Sequence, residues 1–520
     1  MFEKFLNNKL IVIYMLPFCL GLLTVFSFQP FNLSFLNFFL LPIFFLLIVN
    51  VKKKSKSIYR KKPYRKNLFL LGLIFGFGFY LSGIFWIAYS LTFDESFIFL
   101  IPFTIILIPL FMSLFIGIAT LIIGQYLSYN FSSVLLFSGS LALSDFVRSK
   151  VLTGFPWNLW SYTWSWFNEI LQILNFLGLF AFNLLVITIF TLPAVLFFKT
   201  SANKKILTLG LTFLFVFSVY VYGTLTINKN KASLNSNNKK EILYTKIISP
   251  NFELKYNASI GEIEDKLNKL IKFSEPDKDK ETLFIWPEGV FTGFNFTELS
   301  QFSDLIKENF SKKHKILFGV NTSNKNTKKY YNSLMVVNNN FEIVHQYNKK
   351  KLVPFGEFLP FEKIINKFGL KKITQGHGSF SKGSKQNNII LNNFSILPLI
   401  CYEIIFPELS QIASNETNLI INISEDGWFG NSIGPNQHFA KAIFRAIEND
   451  AFLVRSANKG ISAIITNKGR IIKQLNKNEA GNIELDIPLL KSNFKNKNDL
   501  IFFTLLFTYL VIFINFKNKK

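Results

Sequence analysis

Cysteine, histidine and charged residues are all scarce in this sequence. The two cysteines among 520 residues, Cys19 and Cys401, lie far apart, which excludes a disulfide framework. The four histidines show no metal-ligand spacing, so we expect neither a metal site nor a cofactor. Charged residues make up only 17% of the chain and hydrophobic residues 50%, which excludes a disordered chain and an ordinary soluble protein.

Acidic residues are scarcer than basic ones. The chain carries 32 Asp and Glu against 57 Lys and Arg, which gives a formal net charge of +25. Such an excess of positive charge indicates nucleic acid or an anionic membrane surface as a partner. The long apolar runs favour the membrane. We therefore expect a lipid bilayer and no nucleic acid as a partner, and we expect a monomer.

Eight apolar runs are long enough to cross a bilayer as helices, which takes about 20 residues each. The fifth run is the weakest because serines and Asp145 interrupt it. We predict a polytopic α-helical membrane domain of seven spans over residues 1–227, and an eighth span with a cytoplasmic tail over residues 500–520. The runs are Leu10–Phe28, Leu33–Val51, Leu68–Leu91, Phe97–Ile123, Phe131–Val147, Ile170–Phe198, Ile206–Ile227 and Leu500–Phe516.

Basic residues beside the spans indicate the orientation, because Lys and Arg collect on the cytoplasmic side. The loop from Lys52 to Lys66 carries nine basic residues and no acidic ones, so we expect it in the cytoplasm. With an even number of spans, both termini also face the cytoplasm. The residues between the seventh and eighth spans are then predicted to lie on the outer face of the membrane.

Residues 228–499 have a different sequence pattern, in which short β-branched runs alternate with segments whose apolar residues recur at helical spacing. This alternation is typical of a layered α/β domain. The predicted strands are Ile242–Ser249, Leu283–Trp286, Ile316–Val320, Ser333–Val337, Ser395–Ile400, Asn418–Ile423, Phe452–Ser456 and Ile461–Thr466. The predicted helices are Ile260–Phe273, Leu299–Asn309 and His438–Asn449.

Three segments of this region place a reactive or charged side chain at the end of a strand or in the turn after it, where a sheet exposes residues to a ligand. Taken singly, each is more often a solvated turn, a solvated basic face or a buried thiol than a functional group. The segments are FIWPEG at 284–289, YNKKKLVPFGEFLP at 347–360 and LPLICYEIIFPE at 397–408.

Taken in this order, Trp-Pro-Glu, Lys before Leu-Val-Pro-Phe-Gly-Glu, and Cys-Tyr-Glu resemble the Glu-Lys-Cys triad of the nitrilase superfamily. With seven predicted spans before this region and one after it, the whole chain is similar to the apolipoprotein N-acyltransferases. Two further stretches match that family, VLTGFPWN at 151–158 and NISEDGWFGNSIGPNQH at 422–438. The resemblance implies a nitrilase-like αββα sandwich over residues 228–499, as an extracytoplasmic catalytic domain.

The resemblance implies a role for each candidate side chain. Cys401 is the nucleophile that carries the acyl chain, Glu288 is its general base and Lys349 is the cation beside the oxyanion. Lys349 is chosen over the two lysines that follow it because it lies eight residues before Glu357, as the family turn requires. Glu357 and Glu403 are implied to hold Lys349 and the substrate amine.

Further residues near the triad are also candidates for the site. The resemblance implies that Tyr402 is a pocket residue. Trp428 and Phe429 either line an acyl groove or belong to the core. Glu425 and Gly427 depart from the family pattern, because Asn and Ala are often seen at these positions.

The resemblance also implies the reaction and its location. A membrane phospholipid, commonly phosphatidylethanolamine, donates an acyl chain to Cys401, and the resulting thioester is attacked by the N-terminal amine of the diacylglyceryl-cysteine of a diacylated apolipoprotein. This is the last step of lipoprotein maturation. We expect it at the bacterial inner (cytoplasmic) membrane, with the catalytic domain on the periplasmic or outer face.

Two other classes of protein compete with this interpretation. A membrane-tethered nitrilase-type amidase would use the same triad with water as acceptor, but a tether needs one or two spans rather than eight. A transporter or lipid-binding receptor commonly shows internal repeats and charges within its spans. It would have no use for Glu288, Lys349 and Cys401 together.

Overall fold

The structure is a computed structural model, and it describes residues 8–58, 64–235, 241–255, 258–324, 326–360, 379–384, 388–411, 417–490 and 499–518. The chain divides into two compact units. The helical unit comprises Met1–Tyr89, Ile98–Asn228 and Lys497–Lys520. The α/β unit comprises Ser90–Phe97 and Lys229–Asn496.

The helical unit is built from apolar helices. These are α1 (Leu16–Leu23), α2 (Asn37–Ile58), α3 (Tyr64–Ile84), α4 (Ile101–Ile123), α5 (Phe131–Lys150), α6 (Leu179–Thr191) and α7 (Ala202–Asn235), followed by the C-terminal helix Leu500–Asn518. Within the described ranges, six helical stretches are long and apolar enough to cross a membrane, and they match the first four, the sixth and the seventh predicted spans. The six are Leu10–Ser27, Ser34–Lys53, Tyr64–Phe93, Glu95–Ile123, Leu179–Phe197 and Ala202–Leu234.

The fifth and eighth predicted spans form helices that are not among these six. Helix α5 is capped by Asn130, whose side chain accepts a hydrogen bond from Ser133 N at 2.9 Å. It carries buried serines and the buried ion pair of Asp145 with Arg148, at 2.8 Å, which make it less apolar than a typical span. The eighth run forms a shorter apolar helix, Leu500–Phe516. The count of eight spans therefore stays a prediction.

The sixth predicted span is not one continuous helix. Asn168–Leu171 and Leu174–Leu177 form two short helical turns, and α6 begins only after them. Gly178 separates the turns from α6 with a φ of +75°, a left-handed conformation that glycine adopts without steric cost. The prediction of one continuous helix from Ile170 is wrong. The whole segment is apolar, and hydropathy does not show where a single residue interrupts the helix.

The α/β unit contains twelve strands and three helices of seven or more residues among those described. In chain order they are β1 (Ile242–Ser249), α8 (Ile260–Ser274), β2 (Thr282–Ile285), α9 (Ser303–Asn309), β3 (His314–Asn324), β4 (Lys329–Val337), β5 (Ile343–Asn348), β6 (Ile389–Leu391), β7 (Phe394–Ile400), β8 (Leu419–Glu425), α10 (Gly434–Asn449), β9 (Phe452–Asn458), β10 (Ser462–Ile465), β11 (Ile471–Leu475) and β12 (Gly481–Pro488).

The strands form two six-stranded sheets, in the orders β12-β1-β2-β3-β4-β5 and β11-β10-β9-β8-β7-β6. Three neighbouring strands in each sheet are parallel, and the remaining pairings are antiparallel. The sheets contact each other where Ser456 Oγ donates to Ile248 O at 2.8 Å. Helix α8 packs on the first sheet through Ile263 and Leu267, and α10 packs on β9 of the second. The predicted α/β domain is confirmed, with layers in the order helix, sheet, sheet, helix.

All eight predicted strands coincide with observed ones, and four observed strands were not predicted. The unpredicted strands are β5, β6, β11 and β12, which lie at the outer positions of the two sheets. Strand β6 has only three residues, and at least half of the residues of β5 and of β11 are exposed, so neither length nor hydropathy marks them in the sequence. The parallel strands β2, β7 and β8 position the site, because its residues follow their carboxyl ends.

Candidate active site

Cys401 lies at the carboxyl end of β7, where the chain enters a 3₁₀ turn over Cys401–Ile405. Its φ is +46°, in the left-handed region that non-glycine residues rarely adopt, and such strain persists only where the surroundings enforce it. The residue is 8% exposed. The Ser424 side chain, at the end of β8, lies beside the thiol and acts to lower its pKa.

Glu288 follows β2, and its side chain is buried among donors. Its Oε1 accepts from Lys349 Nζ at 3.2 Å and from Asn332 Nδ2 at 2.7 Å. Its Oε2 accepts from the backbone N–H of Glu425 at 3.1 Å. Strand β3 passes very close to the backbone of Glu288. A Cβ added at Gly319 of this strand would lie 2.8 Å from Glu288 Cα. Only glycine permits this approach, so the carboxylate has a defined position.

Lys349 follows β5 and is almost completely buried, at 1% exposure. Its ammonium lies between two carboxylates, Glu288 Oε1 at 3.2 Å and Glu357 Oε1 at 2.9 Å. Asn332 Nδ2 donates to the same two oxygens at 2.7 Å each. Glu357 is held in turn by Val353 N, which donates to its Oε2 at 2.8 Å. One cation and one amide therefore fix two acidic groups side by side.

Among the three consecutive lysines, it is Lys349 whose ammonium pairs with Glu288. The ammonium of Lys351 pairs with Glu408 at 3.0 Å and lies 4.6 Å from the ring centre of Phe406. The structure thus brings together Glu288, Lys349 and Glu357. The charges of Glu288 and Lys349 act on the thiol of Cys401 and shift its pKa in opposite directions.

Glu403 connects the segment after Lys349 to the strand that carries Cys401. It is fully buried, and its Oε1 accepts from the backbone N–H groups of Lys350 at 2.7 Å and Lys351 at 3.1 Å. Tyr347 OH donates to Oε1 at 2.9 Å, and Ile400 N donates to Oε2 at 2.9 Å. These donors come from both segments, so Glu403 joins them.

The three predicted aromatic residues differ in exposure. Tyr402 is 9% exposed, with its ring centre 5.0 Å from that of Phe406. Phe429 is 8% exposed and packs against His438, with ring centres 5.3 Å apart, which favours the core alternative for this residue. Trp428 is half-buried and meets Phe93 edge to face at 5.1 Å. Trp428 therefore retains a partly open face.

Several residues of the site were not predicted. Asn332 looks like any polar residue within a strand, and its role depends on pairing with Glu288, 44 positions away. Asp426 and Arg455 form a buried ion pair at 2.8 Å, and His438 Nδ1 lies 3.0 Å from Asp426 Oδ1. The stretch at 422–438 contains two of these three, so the resemblance indicated the segment but not the contacts.

Burial and neighbouring charges set the protonation of the site. Burial raises the pKa of the Cys401 thiol, the negative charge of Glu288 raises it further, and Lys349 opposes both. Burial alone would lower the pKa of Lys349, but the carboxylates of Glu288 and Glu357 outweigh it and the net direction is upward. The thiol is therefore protonated at rest and needs a base. Burial also raises the pKa of Glu425 to about 8.

Comparisons with known proteins match most of the chain. Residues 260–491 match the carbon-nitrogen hydrolase family, and residues 20–192 match the apolipoprotein N-acyltransferase N-terminal domain. The chain is 30% identical to an apolipoprotein N-acyltransferase from Rhodopseudomonas palustris, over 90% of this chain and 88% of that protein. It is also 30% identical to the enzymes of that name from Brucella melitensis, over 88% and 86%, and Rickettsia typhi, over 96% and 98%.

The first of these two family matches lies in the α/β unit and the second in the helical unit. The full-length relatives cover both units. The chain belongs to the apolipoprotein N-acyltransferase family.

Proposed function

We propose that the protein transfers a fatty acyl chain from a membrane phospholipid, through a thioester on Cys401, to the N-terminal amine of diacylglyceryl-cysteine in apolipoproteins. This is the last step of lipoprotein maturation. The observation that carries the proposal is the strained, buried Cys401 under the electrostatic influence of Glu288 and Lys349, which are themselves paired at 3.2 Å. Family membership supplies the identity of the two substrates.

In the first half-reaction, Glu288 accepts the proton of the Cys401 thiol as sulfur attacks the ester carbonyl carbon of the phospholipid. The negative charge that develops on the carbonyl oxygen is stabilised by the Lys349 ammonium. The tetrahedral intermediate then collapses and breaks the bond between the carbonyl carbon and the glycerol oxygen. That oxygen takes the proton from Glu288, and a lysophospholipid leaves the thioester behind.

In the second half-reaction, the free amine of the apolipoprotein attacks the thioester carbonyl. Glu288 accepts a proton from the attacking nitrogen, and Lys349 again stabilises the oxyanion. Collapse breaks the carbon–sulfur bond and forms the amide, and Glu288 returns the proton to the sulfur of Cys401. No proton or electron is left over, so each turnover restores the starting enzyme.

The proposal extends to the arrangement of the chain in the membrane. Six helical stretches apolar enough to span make this a membrane-bound protein, and both substrates are anchored in a bilayer. We propose a membrane domain of seven spans over residues 1–227, a catalytic domain over 228–499 and an eighth span with a cytoplasmic tail over 500–520. The basic loop from Lys52 to Lys66 supports a cytoplasmic position for both termini. The catalytic domain then faces the periplasm from the inner membrane of a bacterium, in a monomeric enzyme.

Incubation with phosphatidylethanolamine alone, followed by intact-mass analysis, tests the covalent step. We expect an acyl adduct on the wild-type protein that hydroxylamine releases and that Cys401→Ala does not form. An unmodified mass under conditions where turnover is seen would refute the thioester.

The fate of the adduct separates transfer from hydrolysis. Addition of a diacylated lipopeptide with a free N-terminal amine should discharge the adduct and produce triacylated peptide. A membrane-tethered amidase would instead release free fatty acid at the same rate with or without the peptide.

A further inference from the structure

Three buried charged or titratable groups lie behind the nucleophile and take no part in the half-reactions above. Asp426, His438 and Arg455 are each no more than 1% exposed. Arg455 Nη2 donates to Asp426 Oδ1 at 3.0 Å and to Oδ2 at 2.8 Å. His438 Nδ1 lies 3.0 Å from Asp426 Oδ1 and 3.0 Å from Arg455 Nη2. We call these residues the Asp-His-Arg cluster.

The cluster reaches the catalytic cysteine at its backbone. His438 Nε2 lies 3.3 Å from the carbonyl oxygen of Cys401. A carbonyl oxygen can only accept, so the hydrogen bond requires a proton on Nε2. Burial and the positive charge of Arg455 lower the pKa of His438 to about 4, so the ring is neutral near pH 7 and carries one proton. With that proton on Nε2, Nδ1 accepts from Arg455.

The cluster also reaches the thiol. Ser424 Oγ donates to Asp426 Oδ1 at 2.7 Å, and the same side chain lies beside the Cys401 thiol. Asp426 itself has little freedom, because its backbone N–H donates to Asn458 O at 2.9 Å and a Cβ at Gly460 would fall 2.2 Å from its Oδ2. Asp426 thus holds both Arg455, which donates to the ring next to the carbonyl of Cys401, and Ser424, which lies beside its sulfur.

We propose that His438, oriented by Arg455, which Asp426 holds in place, is a positioning residue that donates from Nε2 to the carbonyl of Cys401 and so holds the nucleophile in its left-handed conformation during thioester formation. This inference rests on the proposed function and deepens it. Without that hydrogen bond, the residue at φ +46° can relax toward an ordinary backbone conformation and carry its sulfur out of place. The thioester would then form more slowly, while the affinity for lipid would change little.

Two substitutions of His438 distinguish the roles of the two imidazole nitrogens. The amide nitrogen of a glutamine reaches about as far from the backbone as Nε2 of histidine, whereas that of an asparagine reaches only about as far as Nδ1. His438→Gln can therefore keep the donor to Cys401, and His438→Asn can keep only the contact with Arg455. A matched control is His345→Asn, since His345 Nε2 also lies 2.9 Å from a backbone carbonyl, that of Ile390, outside the site.

The test measures the rate of acyl-adduct formation by full-length protein with phosphatidylethanolamine in mixed micelles, at several lipid concentrations. We expect His438→Asn to slow the maximal rate about tenfold, the loss of one well-placed hydrogen bond, with the half-saturating lipid concentration unchanged. His438→Gln should recover most of the rate, and His345→Asn should match wild type. Equal rates for His438→Asn and wild type, or for the folded Gln and Asn variants, would overturn the inference.

A measurement on the unaltered protein covers the case in which a variant does not fold. The chain has only four histidines, so ¹⁵N-histidine labelling gives few signals, and the one that persists when His314, His345 and His377 are substituted in turn belongs to His438. We expect the Nε2–H form at pH 7. A bare Nε2 cannot donate to a carbonyl and would refute the positioning role. Failure of the wild-type protein to form any adduct would instead refute the proposed function, so the two failures are distinct.

Discussion

Asn332 offers the sharpest test of how the two acidic groups of the site are held together. Its Nδ2 donates to Glu288 Oε1 and to Glu357 Oε1, at 2.7 Å each, and its side chain is almost fully buried. Asn332→Ala removes both donors at once. The two carboxylates then share only the Lys349 ammonium, at 3.2 and 2.9 Å, and their mutual repulsion is less compensated.

The size of the effect follows from the number and type of bonds lost. A hydrogen bond to a charged group contributes about 1.5–3 kcal/mol, and two such bonds are lost here. If their loss raises the activation free energy of thioester formation by about 3 kcal/mol, the rate falls about 100-fold, since about 1.4 kcal/mol corresponds to a factor of ten. Asn332→Asp should be slower still, because it adds a third carboxylate to a site with one ammonium.

The assay is single-turnover formation of the acyl adduct, followed by intact mass, with the folded state checked by thermal unfolding. Asn338→Ala is a matched control, because Asn338 Nδ2 also donates to a glutamate, Glu342 Oε2, at 2.7 Å but at an exposed position. It should leave the rate unchanged. If the Asn332→Ala protein is folded and acylates within twofold of wild type, the two carboxylates do not depend on this amide and the reasoning is wrong.

Three further predictions concern the surroundings of the triad. Gly319→Ala would place a Cβ 2.8 Å from Glu288 Cα and should slow adduct formation about tenfold or more, whereas Gly261→Ala, whose Cβ meets nothing within 4 Å, should not; equal rates would contradict this. Because the pKa of Glu425 is raised from 4.5 to about 8 on folding, the stability it contributes is lost as the pH rises through that window. Melting temperatures of wild type and Glu425→Gln should therefore diverge between pH 5 and 8, in favour of the variant, and parallel curves would exclude the raised pKa. Glu403→Gln turns an amide N–H toward at least one buried donor and should lower the free energy of unfolding by about 1–3 kcal/mol in a denaturant titration; an unchanged midpoint would count against the role of Glu403 in joining the two segments.

The sequence predicts the interior of the α/β unit well because its central strands are short, continuous apolar runs. Such runs indicate strands buried on both faces, and β7 and β8 are buried along their whole length. The outer strands carry no such signal. β12 pairs with β1 across more than 230 residues, so its place in the sheet depends on a partner that no local window contains.

The same limit applies to the site. Glu288, Lys349 and Cys401 follow strands in a recognisable order, and the structure brings the first two within 3.2 Å of each other. Their catalytic roles stay predictions. His438 lies within a predicted helix, and a place on the buried face of that helix would be enough to explain a histidine there. The folded chain is needed to show that its ring contacts the backbone carbonyl of Cys401, 37 positions earlier.

The end of β8 explains why the base and the nucleophile cannot be positioned independently. Three consecutive residues there act on the triad or on His438: the side chain of Ser424 lies beside the Cys401 thiol, the backbone N–H of Glu425 donates to Glu288, and Asp426 holds Arg455, which donates to His438. A shift of this segment would displace the base and the nucleophile together. Substitutions that only loosen it should therefore slow both half-reactions by the same factor, whereas His438→Asn should act mainly on the attack by sulfur. The ratio of acylation to deacylation rates distinguishes the two kinds of change, and it requires no knowledge of the absolute rates.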